Sequence, residues 1–163
     1  MHGSLKKSVI AAGAAVTIIA TAQAAPVLYG VSNAGGGGSE SQLLIIDQST
    51  GAVTNVGTGI GFGRISAIDF HPVTGILYAA GARAGDGSNV LLTIDKTSGV
   101  GTEIGATNIE SPPFISGQRN VAGMSFRNAD GALFGFVEPS DQVATLNIST
   151  GAAGLVGSNS VSG

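Results

Sequence analysis

Apolar residues after position 26 fall in short runs, each bounded by Gly, Asp, Asn, Ser or Thr. Runs such as Leu43-Leu44-Ile45-Ile46 and Val90-Leu91-Leu92 are continuous rather than alternating. They predict short strands covered on both faces, since a half-solvated strand would alternate strictly. The runs also recur. Residues 28 to 57, 77 to 105 and 133 to 157 each open on Leu-aromatic and pass a polar or Gly-rich turn. Each then runs into an apolar strand ending in Asp or Asn, turns at Ser/Thr-Gly, and closes on Val-Gly or Ile-Gly. The matching positions are Asp47, Asp95 and Asn147, then Gly51, Gly99 and Gly151, then Gly57, Gly105 and Gly157.

A second piece lies between these segments. "ISAIDFHPVTGILYAAG" (65 to 81) matches "VAGMSFRNADGALFGFV" (121 to 137). Both place Phe before a four-residue turn ending in Gly and resume on Leu-aromatic. One unit is therefore two hairpins, or four strands, in about 50 residues, which is the period of a β-propeller blade. Gly residues fit the tight turns, which need positive φ or close backbone approach. The expected fold is all-β: a partial β-propeller of tandem four-stranded antiparallel blades, about two and a half repeats in residues 25–163. Gly157 is followed only by "SNSVSG". The chain is accordingly expected to be an incomplete domain, a fragment of a longer reading frame, or a stack that closes by oligomerising.

The motifs "AIDFHPVTGILYAAG", "LLTIDKTSGVGTEIG" and "LLIIDQSTGAVTNVG" resemble the blades of secreted bacterial β-propeller repeat proteins, as in the PEP-CTERM-associated and related groups. The resemblance covers nearly all of residues 27 to 157. It implies an architecture and carries no active site, because the recurring residues belong to turns and core.

The N-terminus changes the picture of where this fold works. Lys6 and Lys7 precede an uncharged run from Val9 to Ala22, followed by Ala22-Gln23-Ala24. This is the layout of a secretory signal peptide, expected to span residues 1–24. The apolar run of about 14 residues is short of the roughly 20 a membrane span needs. Secretion follows as an expectation: periplasmic, extracellular or cell-surface, with no membrane insertion after cleavage. With no Cys, stability must come without disulfides. A formal charge of −3 and no basic cluster argue against a nucleic-acid partner.

The candidate chemistry is thin. Asp69 and His71 stand two apart, and His71 is the one His after residue 2. A base or metal-ligand role would need partners that the repeat does not keep, since the matching positions are Ser125 and Arg127. His71 therefore reads as a turn-flanking residue before Pro72. Asp47, Asp95 and Asn147 read as side chains capping the turn "D-x-S/T-x-G". "GTGIGFG" (57 to 63) fails the G-x-G-x-x-G spacing of a dinucleotide loop. "GGGG" (35 to 38) reads as a flexible loop. "AGDGSN" (84 to 89) and "NADG" (128 to 131) lack calcium-loop spacing and read as turns. "KTSG" (96 to 99) has no matching Ser-x-x-Lys in the mature chain. The Asn147-Ile148-Ser149 sequon reads as incidental. No catalytic, cofactor-binding or metal residue is assigned.

The expected function is a non-catalytic extracellular scaffold that binds a protein or glycan through inter-strand loops. The contributing connections are 32 to 41, 82 to 89 and 106 to 120, the last with Pro112, Pro113 and Arg119. The competing expectation is a fragment of a propeller enzyme, a polysaccharide hydrolase or lyase, with its site completed by further blades.

Overall fold

The computed structural model describes residues 26–32, 41–109 and 120–156. The expected signal peptide, residues 1–24, lies outside them. The described residues hold eleven strands and no helix. The strands are β1 (Leu28–Ser32), β2 (Gln42–Ile46), β3 (Val53–Val56), β4 (Gly63–Phe70), β5 (Leu77–Ala82), β6 (Asn89–Ile94), β7 (Gly101–Ala106), β8 (Asn120–Phe126), β9 (Leu133–Glu138), β10 (Gln142–Leu146) and β11 (Ala153–Leu155). They form three antiparallel sheets in chain order: β1-β2-β3, β4-β5-β6-β7 and β8-β9-β10-β11. Below these are sheets A, B and C. The four-stranded unit of the repeat is thus present twice. Sheet A corresponds to its second, third and fourth strands.

One turn builds the connections at one end of all three sheets. In the turns at 47–52, 71–76, 95–100, 127–132 and 147–152, the first residue donates its N–H to the carbonyl of the sixth. The fifth residue, always Gly, donates back to the carbonyl of the first. That Gly sits at φ between +64° and +81° in all five, a region where a Cβ is strained. Asp47, Asp95 and Asn147 each accept two N–H groups from the following turn residues on Oδ1. His71 does the same with Nδ1, which accepts from Val73 N (3.2 Å) and Thr74 N (3.3 Å). The imidazole replaces the Asx carbonyl in an otherwise identical turn.

The sheets stack face to face, which explains the doubly apolar strands. The first core layer joins Tyr29, Val31, Leu43 and Val56 of sheet A to Ile65, Leu77, Ala79, Val90, Leu92 and Ile94 of sheet B. The second joins Ala67, Tyr78, Ala80 and Leu91 on the opposite face of sheet B to Val121, Phe126, Leu133, Val137, Ala144 and Leu146 of sheet C. All six residues of β5 are buried, because this strand lies between both layers. The repeated Leu-aromatic pair does two jobs at once. The Leu faces the sheet before, and the aromatic faces the sheet after. Tyr29 meets Phe70 edge-on at 5.7 Å, and Tyr78 meets Phe126 edge-on at 5.2 Å. Such pairs add about 1 kcal/mol beyond the area they bury.

At the rim, neighbouring sheets touch backbone to backbone. A Cβ on Gly57 would lie 1.8 Å from the carbonyl oxygen of Ser98, and one on Gly99 2.2 Å from that of Val56. The next junction repeats this: a Cβ on Gly105 would lie 2.3 Å from Thr150 O, and one on Gly151 2.4 Å from Gly105 O. Beside each contact runs an inter-sheet hydrogen bond, Gly101 N to Ile60 O (2.8 Å) and Ala153 N to Thr107 O (2.9 Å). The last strand of one sheet thus ends against the start of the last strand of the next. The first strands β4 and β8 instead run side by side and parallel. Ser66 Oγ donates to Val121 O (2.6 Å), and Phe126 N donates to Asp69 Oδ2 (2.7 Å).

Acid should weaken the turns. Hydrogen bonds from the Ser49 hydroxyl and from the Ser49 and Thr50 amides hold the Asp47 carboxyl at about 2. The Arg127 guanidinium holds Asp130 at about 2. Asp86, Asp95 and Glu103 are also lowered. Each carboxylate is more acidic folded than unfolded, so its stabilisation is present above pH 4 and fades as the pH falls towards 2. Asn147 makes the same turn without a charge, so Asp47→Asn should retain the turn and lose part of the acid sensitivity. Thermal melts between pH 5 and pH 2 check this. Equal slopes for the variant and the wild type would contradict it.

Candidate binding face

The two ends of the sheets are built differently. The turn end repeats one geometry five times. The other end carries the connections β1–β2, β3–β4, β5–β6, β7–β8 and β9–β10. Here the three non-Gly residues with positive φ are found among the described residues: Arg64 (43°), Asn108 (57°) and Asp141 (50°). Bulges in β4, between Gly63 and Ala67, and in β8, between Val121 and Gly123, fall at this end too. Backbone strain and bulges concentrate where function over-determines local geometry.

The bases of these connections are firmly anchored. Ser41 is fully buried and follows the first connection. Its N–H donates to Phe62 O, its carbonyl accepts from Ile60 N, and its hydroxyl accepts from Ile65 N at 3.2 Å. Thr107, equally buried, donates from both N and Oγ1 to Asn89 O. Ile60 and Ile109 are the fully buried apolar anchors beside them. The described bases of this end are therefore rigid, the kind of floor on which binding proteins set their connections. Connection segments 33–40, with the Gly35–Gly38 run, and 110–119, with Pro112 and Pro113, lie outside the described residues, as does Arg119.

The described connection 83–88 carries charge. The Arg83 guanidinium bonds Glu103 on β7 and Asp86 (3.1 Å), and Arg64 Nη2 donates to Gly87 O at 3.2 Å. The two carboxylates push the Arg83 pKa up, and Arg83 pulls Glu103 down. Asp86 is lowered first by the Ser88 amide. The Arg83–Asp86 pair is exposed and the Arg83–Glu103 pair half-buried, so solvent screens both. Their use is to fix the shape of the loop.

The structure also places the other sequence candidates. Asp69 and His71 are not directed at a common point. Asp69 faces sheet C, where it accepts the Phe126 N–H, while Oδ1 accepts Phe70 N at 2.8 Å. The His71 ring lies over Phe126 at 5.0 Å, and its Nε2 is 3.1 Å from where a Gly131 Cβ would sit. Both residues tie sheet B to sheet C. Gly57 of "GTGIGFG" and Gly99 of "KTSG" meet each other at the A–B rim. Asp86 and Asp130 are turn acceptors paired with Arg83 and Arg127. Among the described residues no group of three His, Cys, Asp or Glu is placed to hold a metal ion. Sequence reasoning missed the inter-sheet role of Asp69 and the positive φ of Arg64, Asn108 and Asp141. Only the alternation along "SAIDF", which puts Ala67 and Asp69 on one face, hinted at the first. Comparison with protein-family models and with curated proteins finds no match to this chain.

Proposed function

We propose that the chain is a non-catalytic scaffold of the β-propeller type that binds a protein or glycan ligand through the irregular end of its sheets. The observation that carries this is the asymmetry of the two ends: one turn at all five connections of the first, and at the second, where only 83–88 makes that turn, anchored bases and the three non-Gly positive-φ residues among the described residues. The propeller reading is supported by inner strands β4 and β8 lying parallel while β3, β7 and β11 follow one another end to end. Strongly twisted sheets arranged around an axis give that pattern. The resemblance of the blade motifs to secreted bacterial propellers supports the same reading. The Lys6-to-Ala24 layout supports secretion.

Exchange of segments between the two ends tests the ligand surface. Residues 83–88 are replaced by the sequence of 147–152, which makes the same hydrogen-bonded turn (Arg83 N to Ser88 O, Gly87 N to Arg83 O). The control replaces 127–132 in the same way. On an array of immobilised bacterial and plant polysaccharides and in extracellular-protein pull-downs, the first variant should lose about tenfold or more in binding, and the control should stay within about twofold. Loss in the control with retention in the first variant overturns the assignment of the binding end.

A further inference from the structure

We propose that the outer face of sheet C binds the outer face of sheet A of a second copy, head to tail, and that two copies close a six-sheet ring. The ring count rests on the propeller reading above, whereas the face-to-face contact does not.

The repeat defines which residues should be covered. On the face of each sheet that looks toward the next, the equivalent residues are Tyr29, Tyr78 and Phe134; Val31, Ala80 and Phe136; and Leu43, Leu91 and Val143. Leu43 and Leu91 are fully buried by the following sheet, but Val143 is 38% exposed and Phe136 39%. The opposite face gives the converse series: Leu28, Leu77 and Leu133; Leu44, Leu92 and Ala144; Ile46, Ile94 and Leu146. In sheets B and C all of these are buried by the preceding sheet, while Leu28 in sheet A is 46% exposed and Leu44 and Ile46 are partly so. Val53 beside them is 56% exposed. Each open face is one half of an interface the chain already makes twice.

The rim glycines agree. Gly99 and Gly151 each abut the backbone of the preceding sheet, yet around their equivalent Gly51 nothing lies within 4 Å of a built Cβ. The rim at the sheet A end is therefore open where those of sheets B and C are filled. The apolar face open on sheet A is the kind that looks toward a preceding sheet, and the one open on sheet C is the kind that looks toward a following sheet. A self-complementary patch is therefore not the reading. The contact is heterologous, and such contacts form rings when the rotation closes. The described residues of one copy supply three sheets, and propellers typically close at four to eight, so two copies, with six, fit where three, with nine, do not. Hydrophobic burial across two such junctions is the driving force.

The test uses the purified full chain in sedimentation equilibrium, with circular dichroism to confirm folding. The wild type should be a dimer. Val143→Glu and Val53→Glu lie on the two open faces, outside both core layers, and each should be a folded monomer, with association weakened about 30-fold or more. An equimolar mixture of the two variants retains one intact junction, so it should regain a dimer that neither forms alone. If Val143→Glu fails to fold, Thr145→Lys on the same face takes its place. A monomeric wild type, a dimer unmoved by either substitution, a polydisperse polymer, or a mixture that stays monomeric would each overturn the proposal. None of these results bears on ligand binding at the irregular end.

Discussion

Gly105→Ala should cost this protein about 3 kcal/mol and lower its melting temperature by roughly 10 °C. Gly105 is not at positive φ, so the substitution adds no backbone strain of its own. The loss comes from position. The new Cβ would stand 2.3 Å from the carbonyl oxygen of Thr150 and 3.2 Å from its carbon. Those atoms are backbone in the turn that starts β11, and that turn is fixed by Asn147, whose carbonyl accepts from Gly151 N and whose N–H donates to Ala152 O. No rotamer can move away. Relief requires sheets B and C to part at the rim, which also loosens the Ala153 N to Thr107 O bond. Gly123→Ala is the matched control, because its Cβ would meet only the Phe136 Cβ at 3.9 Å; it should change stability by less than about 0.5 kcal/mol. Thermal denaturation of the pair decides the matter. Equal melting temperatures for the two variants would show that the glycine-to-glycine rim contact is not what holds the sheets.

That contact also shows where sequence reading stops. The repeat made the strands, the hairpin from Phe70 through Gly75 and the capping roles of Asp47, Asp95 and Asn147 readable, because each depends on residues within one unit. Local chemistry dictates them: an Asx acceptor, a Gly at positive φ, an apolar run. The pairing of Gly57 with Gly99 and of Gly105 with Gly151 depends on how one sheet lies on the next, and a single unit carries no record of that. His71 marks the same limit from the other side. Its match to Arg127 in the repeat argued against chemistry, yet the finer fact, that Nδ1 stands in for an Asx oxygen, needed the turn of 71–76 laid over those at Asp47, Asp95 and Asn147. The irregular end was recognisable only as variable connections. Asn108 and Asp141 are residue types that tolerate positive φ, but such residues are common in every turn of this chain, and Arg64 is an unusual choice there.

Asp69→Ala should destabilise the protein by about 2–4 kcal/mol. The residue looked like half of a catalytic pair, but its carboxylate is occupied by two backbone donors. Oδ1 accepts Phe70 N within β4, and Oδ2 accepts Phe126 N across the sheet boundary at 2.7 Å. Asp69 is half-buried and Phe126 is buried between Tyr78 and His71, so water is poorly placed to replace the lost acceptor. Alanine strands both N–H groups, and each unsatisfied donor costs about 1–3 kcal/mol. Asp69→Asn keeps one acceptor oxygen but turns an amide N–H toward the other donor, so its cost should fall between alanine and wild type. Ser125, the equivalent on sheet C, is exposed, and Ser125→Ala should be nearly neutral. Amide hydrogen exchange reads the mechanism directly. Protection of Phe126 should fall in both Asp69 variants by a larger factor than that of Val121 or Leu133. Uniform loss of protection, tracking global stability alone, would mean that the carboxylate contributes no specific clasp between β4 and β8.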